Sequence, residues 1–214
     1  MRCGEFIPVI HRSSERSRAK DVLPVMVDSA ERKTGGDVAP KKGAPVSVAT
    51  HLLVDDGVIP NNPKLPLVIY RQVFGRNGLA AAPERVFDDL FRANGWTGSW
   101  VDGIYDYHHY HSTAHEVLGI AAGHAKVQFG GPHGLVCELR AGDVAVIPAG
   151  VGHCCLGAKN LVVVGAYPHG QNWDLCRDTE ADRARALDNI PWVPLPQSDP
   201  VLGSSGPLVV CWID

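Results

Sequence analysis

A short histidine-rich segment contains three residues whose types and spacing suit a metal ion. His109 and His111 are two positions apart, and Glu116 follows five positions later. If the segment from Asp106 to His111 is a β-strand, alternate side chains share a face, so both imidazoles point the same way. A turn would then bring the carboxylate of Glu116 back beside them. Nitrogen and oxygen donors in this arrangement are typical of a site for a divalent transition metal.

A fourth candidate ligand lies downstream. A turn at Gly142, a run of apolar residues and a corner containing Pro148 and Gly150 lead to His153. Three neutral imidazoles and one carboxylate would leave a six-coordinate metal with two positions open to water, substrate or dioxygen. These donors suit divalent Fe, Mn, Ni, Cu or Zn and are too rich in nitrogen for Mg or Ca. We therefore predict one divalent transition metal as cofactor, with its identity open among these five.

Two further residues are candidates for a catalytic role beside the metal. Under strand alternation Tyr107 shares a face with His109 and His111, so its hydroxyl could donate a hydrogen bond to a bound ligand. His115 would face away from the site in a continuous strand, but a turn could bring it into the pocket as a proton donor or substitute ligand. The alternative for Tyr107 is ordinary barrel packing, and the alternative for His115 is a side chain that faces away from the site. Tyr167, His169 and Trp173 follow the last long apolar run and could line the mouth of a barrel. The alternative for Trp173, and the role expected of Trp192, is a core anchor for the C-terminal segment.

Together the two segments resemble the paired signatures of the cupin superfamily. The first signature is complete, and the second has Gly157 where asparagine is usual. The matching residues are Gly103, His109, His111, Glu116 and Gly123, followed by Gly142, Pro148, Gly150 and His153. A helix predicted over Pro83–Trp96 and the segment 167–174 narrow the resemblance to the YjlB-like cupins. This resemblance implies an all-β fold with a few helices, namely a single jelly-roll barrel, or double-stranded β-helix, with the metal inside.

The composition of the chain changes near residue 45. Residues 1–45 mix charged residues with Ser, Gly and Pro, and we expect a mostly disordered tail. We expect residues 46–214 to form a single cupin domain with a helical, proline-rich C-terminal extension. Between residues 100 and 167 short apolar runs recur about every eight to twelve residues, a rhythm typical of an all-β sandwich or barrel. In the extension, residues 179–187 predict a short helix and residues 208–212 a last strand.

Composition and charge argue against several classes of partner. The net charge of the 214 residues is -3, and the nine basic and six acidic residues of segment 1–45 leave the rest of the chain more acidic. A basic footprint for nucleic acid is therefore missing. The sequence contains neither an apolar run long enough for a membrane span nor an apolar signal-peptide core. We expect a cytoplasmic protein without nucleic-acid or membrane partners, and the resemblance to cupins implies a homodimer.

Two classes of function are compatible with these residues. The first is a metal-dependent enzyme acting on a small oxygen-rich molecule that chelates the metal. Within this class the first candidate is dioxygenase chemistry. The second is isomerase or decarboxylase chemistry, in which Tyr107 or His115 would transfer a proton. The alternative is a non-catalytic protein that binds or senses a small-molecule ligand with the help of its metal. The resemblance indicates a scaffold and a metal site rather than a substrate.

Overall fold

Antiparallel strands make up most of the regular structure in the computed structural model, which describes residues 46–75, 79 and 81–213. The tail predicted for residues 1–45 lies outside the described residues. The strands are β1 (Ser47–His51), β2 (Leu67–Arg71), β3 (Trp96–Asp102), β4 (Glu116–Phe129), β5 (Leu135–Arg140), β6 (Val144–Ile147) and β7 (His153–Pro168). The helices are α1 (Pro83–Ala93), α2 (Glu180–Asn189) and α3 (Pro207–Cys211), with a 3-10 turn at Ile190–Trp192.

The strands form one sheet in the order β1-β2-β6-β4-β7-β3, and β5 also pairs with β4. The long strand β4 pairs with β6 along Glu116–Gly119 and with β5 along His124–Phe129, while β7 lies on its other side. Gly123 lies between these two pairings with a φ of +67°, and a Cβ there would be 2.2 Å from the carbonyl oxygen of Lys159. Glycine therefore permits the close approach of β7 where β4 changes partners.

Side chains alternate along the strands and form two apolar clusters on opposite faces of the sheet. The inner cluster contains Leu118 and Ile120 of β4, together with buried residues of β2, β5, β6 and β7. Val117 belongs to the outer cluster, which packs against α1. Because Glu116 has the same parity as Leu118, the alternation directs its carboxylate to the inner side. No helix among the described residues is both long and apolar enough to cross a membrane.

Helix α1 covers the outer face of the sheet. The predicted helix is confirmed, but it ends at Ala93 because Gly95 adopts a left-handed conformation and β3 begins at Trp96. Its buried residues are Phe87, Leu90 and Phe91, whereas Val86 is only partly covered. The helix therefore lies on the side of β4 opposite to Glu116.

The C-terminal segment differs from its prediction in one element. The helix predicted over residues 179–187 is confirmed as α2, whose N-cap is Thr179 with its hydroxyl accepting from the N–H of Asp182. The strand predicted over residues 208–212 is wrong, since this part of the chain forms α3. Pro207 is the first residue of the helix, a position that favours proline. The carboxylate of Asp199 accepts a hydrogen bond from the N–H of Leu208 at 3.0 Å, which satisfies one of the unpaired N–H groups at the start of the helix.

A buried hydrogen bond joins the outer face of the sheet to this segment. The Tyr70 hydroxyl donates to Asp199 Oδ2, and both side chains are fully buried. Replacing Tyr70 with phenylalanine should lower the free energy of unfolding by about 1–3 kcal/mol, because the carboxylate loses a donor that water cannot replace. Urea unfolding measures this loss, and Tyr105→Phe serves as control because Tyr105 is 49% exposed. Equal losses in the two variants would contradict the prediction.

Candidate metal centre

Two distant segments of the chain lie side by side at the inner end of the sheet. The N–H of His109 donates to the carbonyl of His153 at 3.2 Å, and the N–H of His153 donates back at 2.9 Å. The strand predicted over residues 106–111 is reduced to isolated bridges at His109 and Tyr110, so that prediction is wrong in extent. The bridge to His153 nevertheless places the two imidazole rings 4.0 Å apart between centroids.

Four donor groups converge at this point. One ring nitrogen from each of His109, His111 and His153 lies within 4.8 Å of the others. Glu116 Oε2 lies 3.5 Å from His111 Nε2 and 3.3 Å from His153 Nε2. Donors that are each about 2.1 Å from one ion lie about 3–4 Å from one another. The three imidazole nitrogens are therefore close enough together for a single metal ion, and the carboxylate of Glu116 lies beside two of them.

Backbone carbonyls orient all three imidazoles. Each Nδ1 lies beside a carbonyl oxygen, and because such an oxygen can only accept, Nδ1 carries the proton and donates it. The acceptors are Tyr107 O for His109 at 3.2 Å, Asp174 O for His111, and Val151 O for His153 at 3.3 Å. In the neutral form of each ring the lone pair is then on Nε2, which is the state required of a metal-binding histidine.

The carboxylate of Glu116 has one satisfied oxygen and one free oxygen. Oε1 accepts a hydrogen bond from the Tyr167 hydroxyl at 3.1 Å, and that hydroxyl accepts from Trp100 Nε1 at 2.9 Å. Oε2 is buried and has no hydrogen-bond donor among the described residues. A buried carboxylate oxygen without a partner is costly, and a divalent cation beside Oε2 would remove that cost. The donor set therefore fits a transition metal.

The carboxylate of Glu116 and the neighbouring imidazoles shift one another's pKa values. Burial alone would raise the pKa of Glu116, but His111 and His153 outweigh burial and hold this pKa well below the usual range. Burial alone would lower the pKa of His111, but the carboxylate of Glu116 outweighs it and raises this pKa. Burial and the neighbouring His153 lower the pKa of His109 to about 3, so this imidazole is neutral near pH 7.

The donor groups lie at the bottom of a cavity of about 400 Å³. Its walls combine apolar residues of β3 and β4 with four aromatic side chains: Trp100, Tyr105, Tyr167 and Trp173. All four donor residues are at least 94% buried, whereas Tyr105 and Trp173 are about half-exposed at the mouth. The centre is therefore closed from below and reachable through an aromatic opening.

The sequence of this chain matches known proteins over most of the described part. Residues 107–172 match the family model Cupin_1, described as cupin. The uncharacterized protein YjlB of Bacillus subtilis (strain 168) is 40% identical over 165 residues, which cover 77% of this chain and 96% of that protein. The chain belongs to the YjlB-like cupins. The predicted family and its all-β jelly-roll fold are thereby confirmed.

Solved cupins are similar to this one at low identity. Acireductone dioxygenase from Bacillus anthracis, with a cadmium ion in its active centre, is 19% identical, with 41% of this chain and 61% of that chain covered and a TM-score of 0.31. A cupin 2 domain-containing protein from Halorhodospira halophila is 16% identical, with coverage of 67% and 77% and a TM-score of 0.30. The chain spans less than two thirds of the length of that dioxygenase.

The structure of this cupin places both predicted catalytic residues outside the cavity. The ring of Tyr107 stacks on Tyr105 at 4.9 Å and lies 3.8 Å from the guanidinium carbon of Arg177. His115 is buried elsewhere, where Nδ1 accepts the N–H of Ala149 at 2.9 Å. Its ring packs 4.7 Å from that of Trp212. The packing alternative therefore describes Tyr107, of which only the backbone carbonyl contacts a proposed ligand, and His115 faces away from the cavity.

Other residues contact the centre in their place. Tyr167 and Trp173 line the cavity as the sequence suggested, whereas His169 is exposed beyond the end of β7. Trp192 is 82% exposed, so the prediction that it is a core anchor is wrong. Sequence reasoning missed Trp100, whose indole lies against Gly165 of β7 and donates to the Tyr167 hydroxyl. A Cβ at Gly165 would be 2.1 Å from the indole ring. A glycine that faces a tryptophan across paired strands is the signal that could have indicated this contact.

The Tyr167 hydroxyl should influence the affinity of this cupin for metal. Replacing Tyr167 with phenylalanine should weaken metal binding about tenfold, because Glu116 loses the bond that orients it and Trp100 loses its acceptor. Competition with a chromogenic chelator measures the change, and Tyr105→Phe is the matched control at the mouth of the same cavity. Equal affinities in the two variants would show that this hydrogen bond does not orient the carboxylate.

Proposed function

We propose that this cupin binds one divalent transition metal through His109, His111, Glu116 and His153 and uses it to act on a small oxygen-rich molecule. The supporting observation is the buried oxygen Glu116 Oε2, which faces two imidazole nitrogens and has no donor among the described residues. A metal on these residues would supply Lewis acidity, and iron or manganese would also supply chemistry with dioxygen.

The side chains around the donors are held in place before a ligand enters. Carbonyl groups hold the Nδ1 side of each imidazole, and Tyr167 holds one oxygen of Glu116. Leu118 and the inner apolar cluster close the space beneath the donors and exclude water from it. A ligand would reach the donors only from the cavity, and the protein would not have to reorganise to receive it.

The Tyr167 hydroxyl lies beside the donors, but its single hydrogen is donated to Glu116 Oε1, so Tyr167 orients the carboxylate rather than donating to a ligand. Burial and the negative charge of Glu116 raise the pKa of its hydroxyl, so Oη keeps its proton at neutral pH. Isomerase or decarboxylase chemistry as first proposed needed Tyr107 or His115 in the cavity, and neither lines it. Dioxygenase chemistry depends on the metal and dioxygen rather than on those residues, and it is our first candidate.

Metal analysis followed by oxygen uptake tests the proposal. Protein purified without an affinity tag should carry about one iron or manganese ion per chain. It should consume oxygen with at least one member of a panel of diketones and catechols. Persistent zinc with no oxygen uptake would contradict the dioxygenase version. Binding of panel compounds without turnover of any of them would favour the non-catalytic binding or sensing protein.

The homodimer and the cytoplasmic location stay predictions. We propose the dimer because the strand β1 at one end of the sheet has a single neighbour among the described strands. Light scattering on eluted fractions measures the mass, and a value near the 23.0 kDa of one chain would contradict the dimer.

A further inference from the structure

Half-exposed aromatic side chains flank the proposed metal ligands. Trp173 and Tyr105 expose 47% and 49% of their surface, far more than aromatic residues that serve a core. Trp173 lies 5.2 Å from His111 between ring centroids and stacks with Tyr167 at an interplanar angle of 22°. Tyr105 lies 5.0 Å from His109. A ligand on the metal would therefore meet aromatic surface beside two of the imidazoles.

The charges around the cavity restrict its ligand. Three neutral imidazoles and one carboxylate would leave a divalent metal with one net positive charge. None of the described residues that line the cavity is Lys or Arg, and Arg177, which packs over Tyr107, does not line it. The acidic side chain of Asp102 stands at the exposed rim. A second anionic group on the ligand would find no cation to pair with.

We propose that the cavity accepts a planar aromatic molecule that carries two neighbouring oxygen donors and a single negative charge. This inference rests on the proposed function, since the oxygen donors would bind the metal. The aromatic part would contact Trp173 and Tyr105, where ring stacking adds to the burial of apolar surface. A cavity of about 400 Å³ has the size of a small-molecule site and accommodates one or two rings.

Two hydroxamates with the same chelating group test the aromatic part. Benzohydroxamate carries a phenyl ring where acetohydroxamate carries a methyl group. Calorimetry with cobalt-loaded protein should show benzohydroxamate binding about tenfold more tightly. Trp173→Ala and Tyr105→Ala should each reduce this ratio to about threefold or less, because each removes one stacking surface. Trp192→Ala is the matched control, since Trp192 is 82% exposed and does not line the cavity, and the ratio should be unchanged.

Cobalt binding tests the metal site, and discrimination between the two hydroxamates tests the aromatic ligand. The cobalt content of every variant is measured first by its visible absorption. Protein that binds one cobalt ion but does not distinguish the two hydroxamates would overturn the aromatic ligand and leave the metal site intact. Protein that binds no cobalt would overturn both proposals.

A third probe tests the charge of the ligand. 4-Carboxybenzohydroxamate has the same ring and chelating group with an added carboxylate. It should bind at least about fivefold more weakly than benzohydroxamate, because the added charge enters a cavity rim that carries Asp102 and no basic side chain. Asp102→Asn should reduce this difference. Binding as tight as that of benzohydroxamate would overturn the single negative charge.

Discussion

Replacing Glu116 with glutamine is expected to lower the affinity of this cupin for a divalent metal by more than about 100-fold. The substitution keeps the size of the side chain and removes the negative charge of the proposed donor set. Trp100 donates to the oxygen of Tyr167, which directs the hydroxyl hydrogen of Tyr167 toward Oε1. The same bond would hold the glutamine carbonyl there and turn the NH₂ group toward the imidazoles, where it repels a cation.

Competition with a chromogenic chelator measures this affinity in protein stripped of metal. Glu138→Gln is the matched control, because the side chain of Glu138 is 64% exposed on β5 and pairs with Arg140 at the surface. Circular dichroism of the metal-free variants checks that both remain folded. Metal binding by Glu116→Gln as tight as that of the unsubstituted protein would remove Glu116 from the proposed ligands.

The ligand segments were predictable because their information is local. His109 and His111 are two residues apart and Glu116 begins an apolar strand, so three candidate donors lie within one short segment and could be recognised by their spacing. His153 was predicted from a local pattern too, namely the turn at Gly142 and the corner at Pro148 and Gly150 that precede it. The contact that joins the two segments, the mutual backbone hydrogen bonds of His109 and His153, is a consequence of the jelly roll and came from the family resemblance rather than from spacing.

The residues that orient the ligands were less predictable because their partners are distant in sequence. Asp174 contacts Ser112 across 62 positions, and no spacing rule connects them. Tyr107 was assigned to the cavity on the assumption of a regular strand, whereas the chain there forms only two isolated bridges. At the C-terminus, Val209 and Val210 favoured a strand by propensity, but the proline start and the Asp199 contact stabilise a helix instead.

Asp174 should have a large effect on both stability and metal binding, although it is not a proposed ligand. Its carboxylate accepts the N–H and the hydroxyl of Ser112, each at 2.6 Å, and also the N–H of Thr113 at 3.3 Å. Its backbone carbonyl accepts Nδ1 of His111. The side chain is 24% exposed, so water replaces these bonds only in part. Asp174 therefore holds the turn between His111 and Glu116 in its shape.

Replacing Asp174 with alanine should lower the free energy of unfolding by about 3 kcal/mol, because several partly buried donors lose their acceptor. Metal affinity should fall about 10- to 100-fold, since the turn that follows His111 loses the carboxylate that fixes its shape, even though the carbonyl at position 174 that accepts His111 Nδ1 is kept. Urea unfolding of metal-free protein and chelator competition measure the two effects separately. Asp178→Ala, an exposed aspartate four residues later, is the control and should change neither.

The stability loss in Asp174→Ala should also depend on pH. Burial alone would raise the pKa of Asp174, but hydrogen bonds from Ser112, Cys176 and Thr113 outweigh it and lower this pKa below the ordinary value of 3.8. A depressed carboxyl pKa stabilises the folded state above the unfolded pKa, and this contribution is lost as the pH falls through the folded value. The difference between the unsubstituted protein and the variant should therefore be constant from about pH 7 to pH 5 and decrease below about pH 4. A difference that stays the same at low pH would mean that the charge of Asp174 does not stabilise the turn, and that its contribution comes from packing alone.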